Sequence, residues 1–96
     1  MPESAAPVLL LTAWHLPHMW LMPRHMLALR RLERGACWSQ PGLVRSHRWS
    51  SRRSLLMTSW WESREAAEAW LACAALQRFD ARVRRVKGAE SWVELR

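Results

Sequence analysis

The chain has 96 residues and a mass of 11.3 kDa, with fifteen Lys and Arg against eight Asp and Glu. That length holds one domain around one core, and a hydrophobic content of 50% excludes a disordered tail despite the net charge of +7. Eight Trp, one Phe and no Tyr make the aromatic composition unusual. Each indole can bury roughly 150–250 Å², so some of these rings are expected to line a pocket or a partner surface.

In chain order, residues 1–7 read as a disordered, Pro-containing lead, and residues 8–96 as a single domain. Val8–Leu16 is a strand with apolar residues on both parities, ended by Pro17. Pro23 suits the first position of a helix, and Met26, Leu29, Leu32 and Ala36 recur at helical spacing behind it. Ser39-Gln-Pro-Gly42 stops that helix. Leu43–Ser50 alternates as a second strand, with Leu43, Arg45, His47 and Trp49 expected on one side. Ser51–Ser54 is a hairpin loop, and Leu55–Trp61 a third strand that is apolar on both faces.

Ser63 is the N-cap of one Ala-rich amphipathic helix that runs through Trp70, Leu76, Phe79 and Val83 to a stop at Gly88. Ser91–Leu95 closes the chain as a short strand. The order β-α-β-β-α-β is that of a ferredoxin-like α+β sandwich. Two helices cover one face of a four-stranded sheet. The first and third strands are apolar on both faces, so the uncovered face predicts homodimerisation through the sheet.

Cys37 and Cys73 form no Cys-x-x-Cys pair and read as reduced structural thiols. The start has no basic n-region, and Val8–Ala13 is too short for a membrane span, so a cytoplasmic protein without a membrane partner is expected. Every cation but Lys87 is an Arg. They are scattered and interleaved with Glu62, Glu65 and Glu68, which favours a solvated surface over a nucleic-acid interface.

Phosphate-loop, dinucleotide, nucleophile-elbow and zinc-protease motifs are missing. Three His and two Met fall between His15 and His25, and His15 and His18 at a strand end are candidate ligands for a metal or haem iron. Polar loop residues, with Met filling the core edge, are the simpler account of that cluster. Trp60, Trp61 and Trp70 form a second cluster, read as helix-on-sheet packing or as a flat wall for a planar ligand. His47 and Trp49 add a titratable group and another wall.

Trp61 at a strand end, Ser63 to Ala66, the helical Trp70 and Pro41-Gly42 together resemble the dimeric α/β-barrel superfamily, in its antibiotic-biosynthesis-monooxygenase-like branch. The resemblance spans residues 8–95 and implies a ferredoxin-like sandwich paired into a dimeric α/β barrel, with a pocket between sheet and helices or between the sheets. In haem-degrading members it implies an Asn, the helical Trp and a proximal His. Trp70 matches the Trp, Asp80 stands at the His position, and His15 lies near the Asn position.

In cofactor-independent members a substrate carbanion meets dioxygen in a dry pocket, which needs only a base and hydrophobic walls. The resemblance thus implies a monooxygenase-like protein that oxidises or binds a planar hydrophobic small molecule, with haem or no cofactor. The alternative is a non-catalytic ligand- or haem-binding module of the same fold. The candidate catalytic residues are His15, Trp70 and Asp80, with His47 as another base. Trp61, His47, Trp49, Arg45 and Phe79 would bind substrate, with Arg45 or Arg48 on an anionic group, and His18 would hold a metal.

Overall fold

The computed structural model describes residues 7–96, so nearly all of the lead expected over residues 1–7 lies outside the described residues. The element order is β1 (Val8–His15), α1 (Met22–Leu32), β2 (Leu43–Ser50), β3 (Ser54–Trp61), α2 (Arg64–Leu71), α3 (Ala74–Arg84) and β4 (Glu90–Leu95). The strands form one antiparallel sheet in the order β2-β3-β1-β4. That is the ferredoxin-like α+β arrangement expected from the sequence.

Strand periodicity divides the sheet residues between two faces. On the helix side, Leu10, Thr12 and Trp14 of β1 stand opposite Ser59, Met57 and Leu55 of β3. These pack with Leu29 and Leu32 of α1, Trp70 of α2, and Leu76, Phe79 and Val83 of α3 into one core. The opposite face carries Leu9, Leu11 and Ala13 beside Trp60, Thr58 and Leu56, and no helix among the described residues covers it.

Two sequence expectations are corrected. The helix expected from Ser63 to Val86 is broken: α2 ends at Leu71, Cys73 is extended (φ −62°, ψ 132°), and α3 starts at Ala74. Trp70 and Leu76 are both buried but six residues apart, a turn of about 240° from one face of an unbroken helix. Only an interruption puts Trp70 and the Leu76, Phe79, Val83 stripe on the same sheet. The side chain of Gln77 donates to the Leu71 carbonyl and satisfies one of the groups left at the break.

The second correction is on β2. A bulge between Leu43 and Arg45 puts Leu43 on the helix side opposite Trp61, while Arg45, His47 and Trp49 stay on the open face. The first helix also ends differently from a plain α-helix, because Glu33–Cys37 continue it as a wider π-helical turn. Buried Glu33 accepts from Ser46 Oγ and from Arg48 Nε, which ties this turn to β2.

Local chemistry explains the remaining boundaries. Ser63 is extended and its Oγ accepts from the Ala66 N–H at 3.1 Å, capping α2 as its sequence position suggests. Gly42 has φ +87°, and a Cβ there would stand 2.6 Å from the Ala66 Cβ. Gly42→Ala is therefore expected to cost about 1–3 kcal/mol through backbone strain and overlap. Gly35→Ala, where nothing lies within 4 Å, is expected to stabilise slightly. Paired thermal melts check both signs, and equal melting points would refute the steric account.

Neither Cys37 nor Cys73 is in a disulfide. Burial first, then the charges of Glu33 and Cys73, push the Cys37 thiol from 9.0 up to about 12. At neutral pH folded and unfolded chains both hold this proton. Above the ordinary thiol range only the unfolded chain releases it, so stability falls as pH rises from 9.0 towards about 12. Melts between pH about 8 and about 10.5 are expected to fall more steeply for the wild type than for Cys37→Ala. Parallel slopes would show that this thiol contributes nothing to the alkaline loss.

Candidate functional site

The residues singled out in the sequence are distributed over both faces of the sheet. Trp61, Trp70, Phe79 and Asp80 lie on the helix side. Trp61 and Trp70 are fully buried and stacked, with ring centroids 6.1 Å apart and planes 25° apart. Trp61 Nε1 donates to Ser59 Oγ at 2.8 Å. The Trp70 Nε1–H is buried with no acceptor among the described residues. Phe79 meets the edge of Trp14 at 4.8 Å, and Trp14 Nε1 donates to Asp80 Oδ1 at 3.0 Å.

Asp80 also accepts from Arg84 at 2.7 Å. Its carboxylate thus joins β1 to α3 and is engaged at both oxygens. The cavity next to it, between Trp14, Leu76 and Val93, holds about 60 Å³. A haem placed as in the haem-degrading branch needs an imidazole and a large slot at this point. A committed carboxylate beside so small a cavity does not fit it.

Arg45, His47 and Trp49 lie together on the open face, with Trp60 of β3 between them. The Arg45 guanidinium sits 4.5 Å over the Trp60 ring. His47 meets Trp60 edge-on at 6.3 Å and Trp49 at 6.0 Å. Trp49 Nε1 donates to Thr58 Oγ1 at 3.2 Å, which orients its ring along the sheet. A cation, an imidazole and two indoles therefore form one continuous band. Arg48 is not part of it, because side-chain alternation turns it to Glu33 on the other face.

Alternation along β2 puts Arg45 on this face together with His47 and Trp49, and the bulge before it turns only Leu43 to the other. Trp60 was read in the sequence as part of a Trp60, Trp61, Trp70 cluster, but adjacent strand residues point to opposite faces, so it parts from Trp61. The signal that could have placed it is the alternation of β3 itself.

His15 is on the open face too, at the far end of β1, where its Nδ1 is 3.0 Å from Ser54 Oγ. It is on the opposite side of the sheet from Trp70, so these two candidates do not share a pocket within one chain. His18 is exposed and stacks on Trp20 at 5.9 Å, and both border an open depression with His15, Arg52 and Arg53. His25, the third His of that sequence cluster, is buried in α1 with Nδ1 2.9 Å from the Leu21 carbonyl. Among the described residues no three His, Cys, Asp or Glu come together as a metal site.

No protein-family model matches the chain, and no curated protein does. Solved structures do. A conserved protein of unknown function from Bacteroides thetaiotaomicron VPI-5482, described as a possible oxidoreductase, superposes with a TM-score of 0.77 at 15% identity, over 97% of this chain and 98% of its own. An antibiotic biosynthesis monooxygenase superposes with a TM-score of 0.75 at 13% identity, covering 92% and 95%. SnoaB, a cofactor-independent oxygenase from Streptomyces nogalater, gives 0.67 at 17% identity, covering 94% and 92%. At these identities the likeness is one of fold, and the chain has the ferredoxin-like fold of the antibiotic biosynthesis monooxygenases.

Proposed function

We propose that this protein is a monooxygenase-like homodimer that oxidises a planar hydrophobic small molecule held on the open face of the sheet. The observation that carries this reading is the Arg45–Trp60–His47–Trp49 band. Trp49 and Trp60 offer flat apolar surface to a ring system. Arg45 is placed to pair with an anionic oxygen on it. His47, with no committed hydrogen bond among the described residues, is the base.

The chemistry needs little else. His47 takes a proton from a ring carbon activated by a neighbouring phenol or carbonyl, and Arg45 steadies the negative oxygen of the resulting carbanion–enolate. The carbanion adds dioxygen, the peroxide takes the proton back from His47, and the hydroperoxide loses water with the carbon's second hydrogen to leave a carbonyl, so one oxygen atom enters the product and the other leaves as water. Water must be excluded for this to proceed cleanly. A second sheet laid on the first supplies that cover. The resemblance in fold to a cofactor-independent oxygenase supports a reaction without haem or metal.

Anthrone turnover to anthraquinone, followed by absorbance, tests the site. His47→Ala is expected to lower kcat by about 10²–10⁴, with KM little changed, whereas Arg45→Gln is expected to act mainly on KM. Full activity in both variants would remove the band from the mechanism.

The homodimer rests on Leu9, Leu11, Leu56 and Trp60, half-buried at the centre of a sheet face that no helix among the described residues covers. With exposed Trp49 and Trp92 at either side, they make an apolar surface of the kind that seeks a partner. Sedimentation equilibrium is expected to give twice the chain mass for the wild type and the chain mass for Leu11→Glu. An unchanged mass in the variant would count against pairing through this face.

A further inference from the structure

On the other side of the molecule, α1 and α3 lie side by side with a groove of about 660 Å³ between their outer surfaces. Its floor is apolar, made by Ala28, Leu32, Ala75 and Phe79, and its rim carries Arg24, Arg31, Arg78 and Arg82. The positions follow from helical spacing. Arg24, Ala28 and Arg31 share one stripe of α1, and Arg78 and Arg82 lie one turn apart on α3.

Four guanidiniums therefore face one floor, two from each helix. The rim arginines span only about 10 Å along α1 and about 6 Å along α3. None of the four has a carboxylate within 4.0 Å among the described residues, where Glu33, Glu68, Asp80 and Glu94 are taken by other arginines. Four like charges around one groove repel one another, and an anion seated among them relieves that repulsion. Guanidinium pairs recognise phosphate and carboxylate in two-pronged fashion.

The geometry points to a second binding site here, for a compact organic anion: a phosphate or carboxylate carried on an apolar body. The charged group would sit among Arg24, Arg31, Arg78 and Arg82, and the apolar body on Leu32 and Phe79. The shape favours a free small molecule over larger partners. Leu32 and Phe79 are recessed, at 7% and 6% exposure, and Leu27 is the one large apolar side chain of the lining that protrudes, at 46%, whereas insertion into a membrane needs several. A nucleic-acid strand would need a longer cationic track with exposed rings to stack on. The volume lies within the usual range for small-ligand pockets of about 300–1,000 Å³.

The test uses 1-naphthyl phosphate, with 1-naphthol as the apolar body alone and inorganic phosphate as the head group alone, in calorimetric titrations of the intact protein. Naphthyl phosphate is expected to bind more tightly than either fragment. The double variant Arg78→Gln/Arg82→Gln is expected to weaken it by about tenfold or more. Arg64→Gln/Arg96→Gln removes equal charge elsewhere and is expected to change it less than about twofold. Arg45→Gln, which weakens binding on the open face, is expected to leave it intact, which separates this site from the open-face one. Equal losses in both double variants would reduce the effect to net charge and overturn the site. So would groove-dependent binding of phosphatidylserine vesicles or a single-stranded oligonucleotide without binding of naphthyl phosphate.

Discussion

A four-stranded sheet whose two central strands are apolar on both faces, with helices enough for only one, is the constraint on which the rest of this structure depends. β1 places Leu10, Thr12 and Trp14 towards the helices and Leu9, Leu11 and Ala13 away from them, and β3 does the same with Met57 and Leu56. The helix layer turns one set into a core. The other set is left as a surface, and everything proposed for the open face, from its pairing to its aromatic band, follows from that asymmetry.

The helix layer answers the same constraint in its own way. α2 and α3 belong to what periodicity alone would make one helix, yet both must lay apolar residues on one sheet. Trp70 and Leu76 are out of phase by about two-thirds of a turn, and the extended residue Cys73 restores the phase. The break costs backbone hydrogen bonds, which Gln77 partly restores. It also lets α3 lie along α1, which forms the groove that collects Arg24, Arg31, Arg78 and Arg82. Packing on the inner side of the layer thus determines the charge pattern on its outer side.

Eight Trp in 96 residues are accommodated by dividing them between these environments. Trp14, Trp61 and Trp70 are spent on the core, where Trp14 also ties β1 to Asp80 of α3. Trp49, Trp60 and Trp92 lie on strands bordering the open face, two of them more than half exposed. Adjacent Trp60 and Trp61 show the division at its sharpest. One residue of strand separates a ring beneath a guanidinium from a ring sealed between β3 and α2.

Strand order, the helical segments between the strands, the two-faced character of β1 and β3, the Ser63 cap and the stop at Gly42 were all legible in the sequence, because each rests on local spacing or on one residue's own chemistry. The candidate residues were legible as types as well: His47, Trp49 and Arg45 alternate along one strand. What the sequence did not contain was which candidates meet. His15 and Trp70 look like partners along the chain and are separated by the sheet, while Arg45 finds its ring on the neighbouring strand. Faces and neighbours depend on a bulge at Leu43 and Arg45, on a break at Cys73 and on the register of strands far apart in the chain. Those are settled by how the whole core packs. Local pattern determined the elements and their chemistry, and tertiary packing alone decided the assembly of the sites.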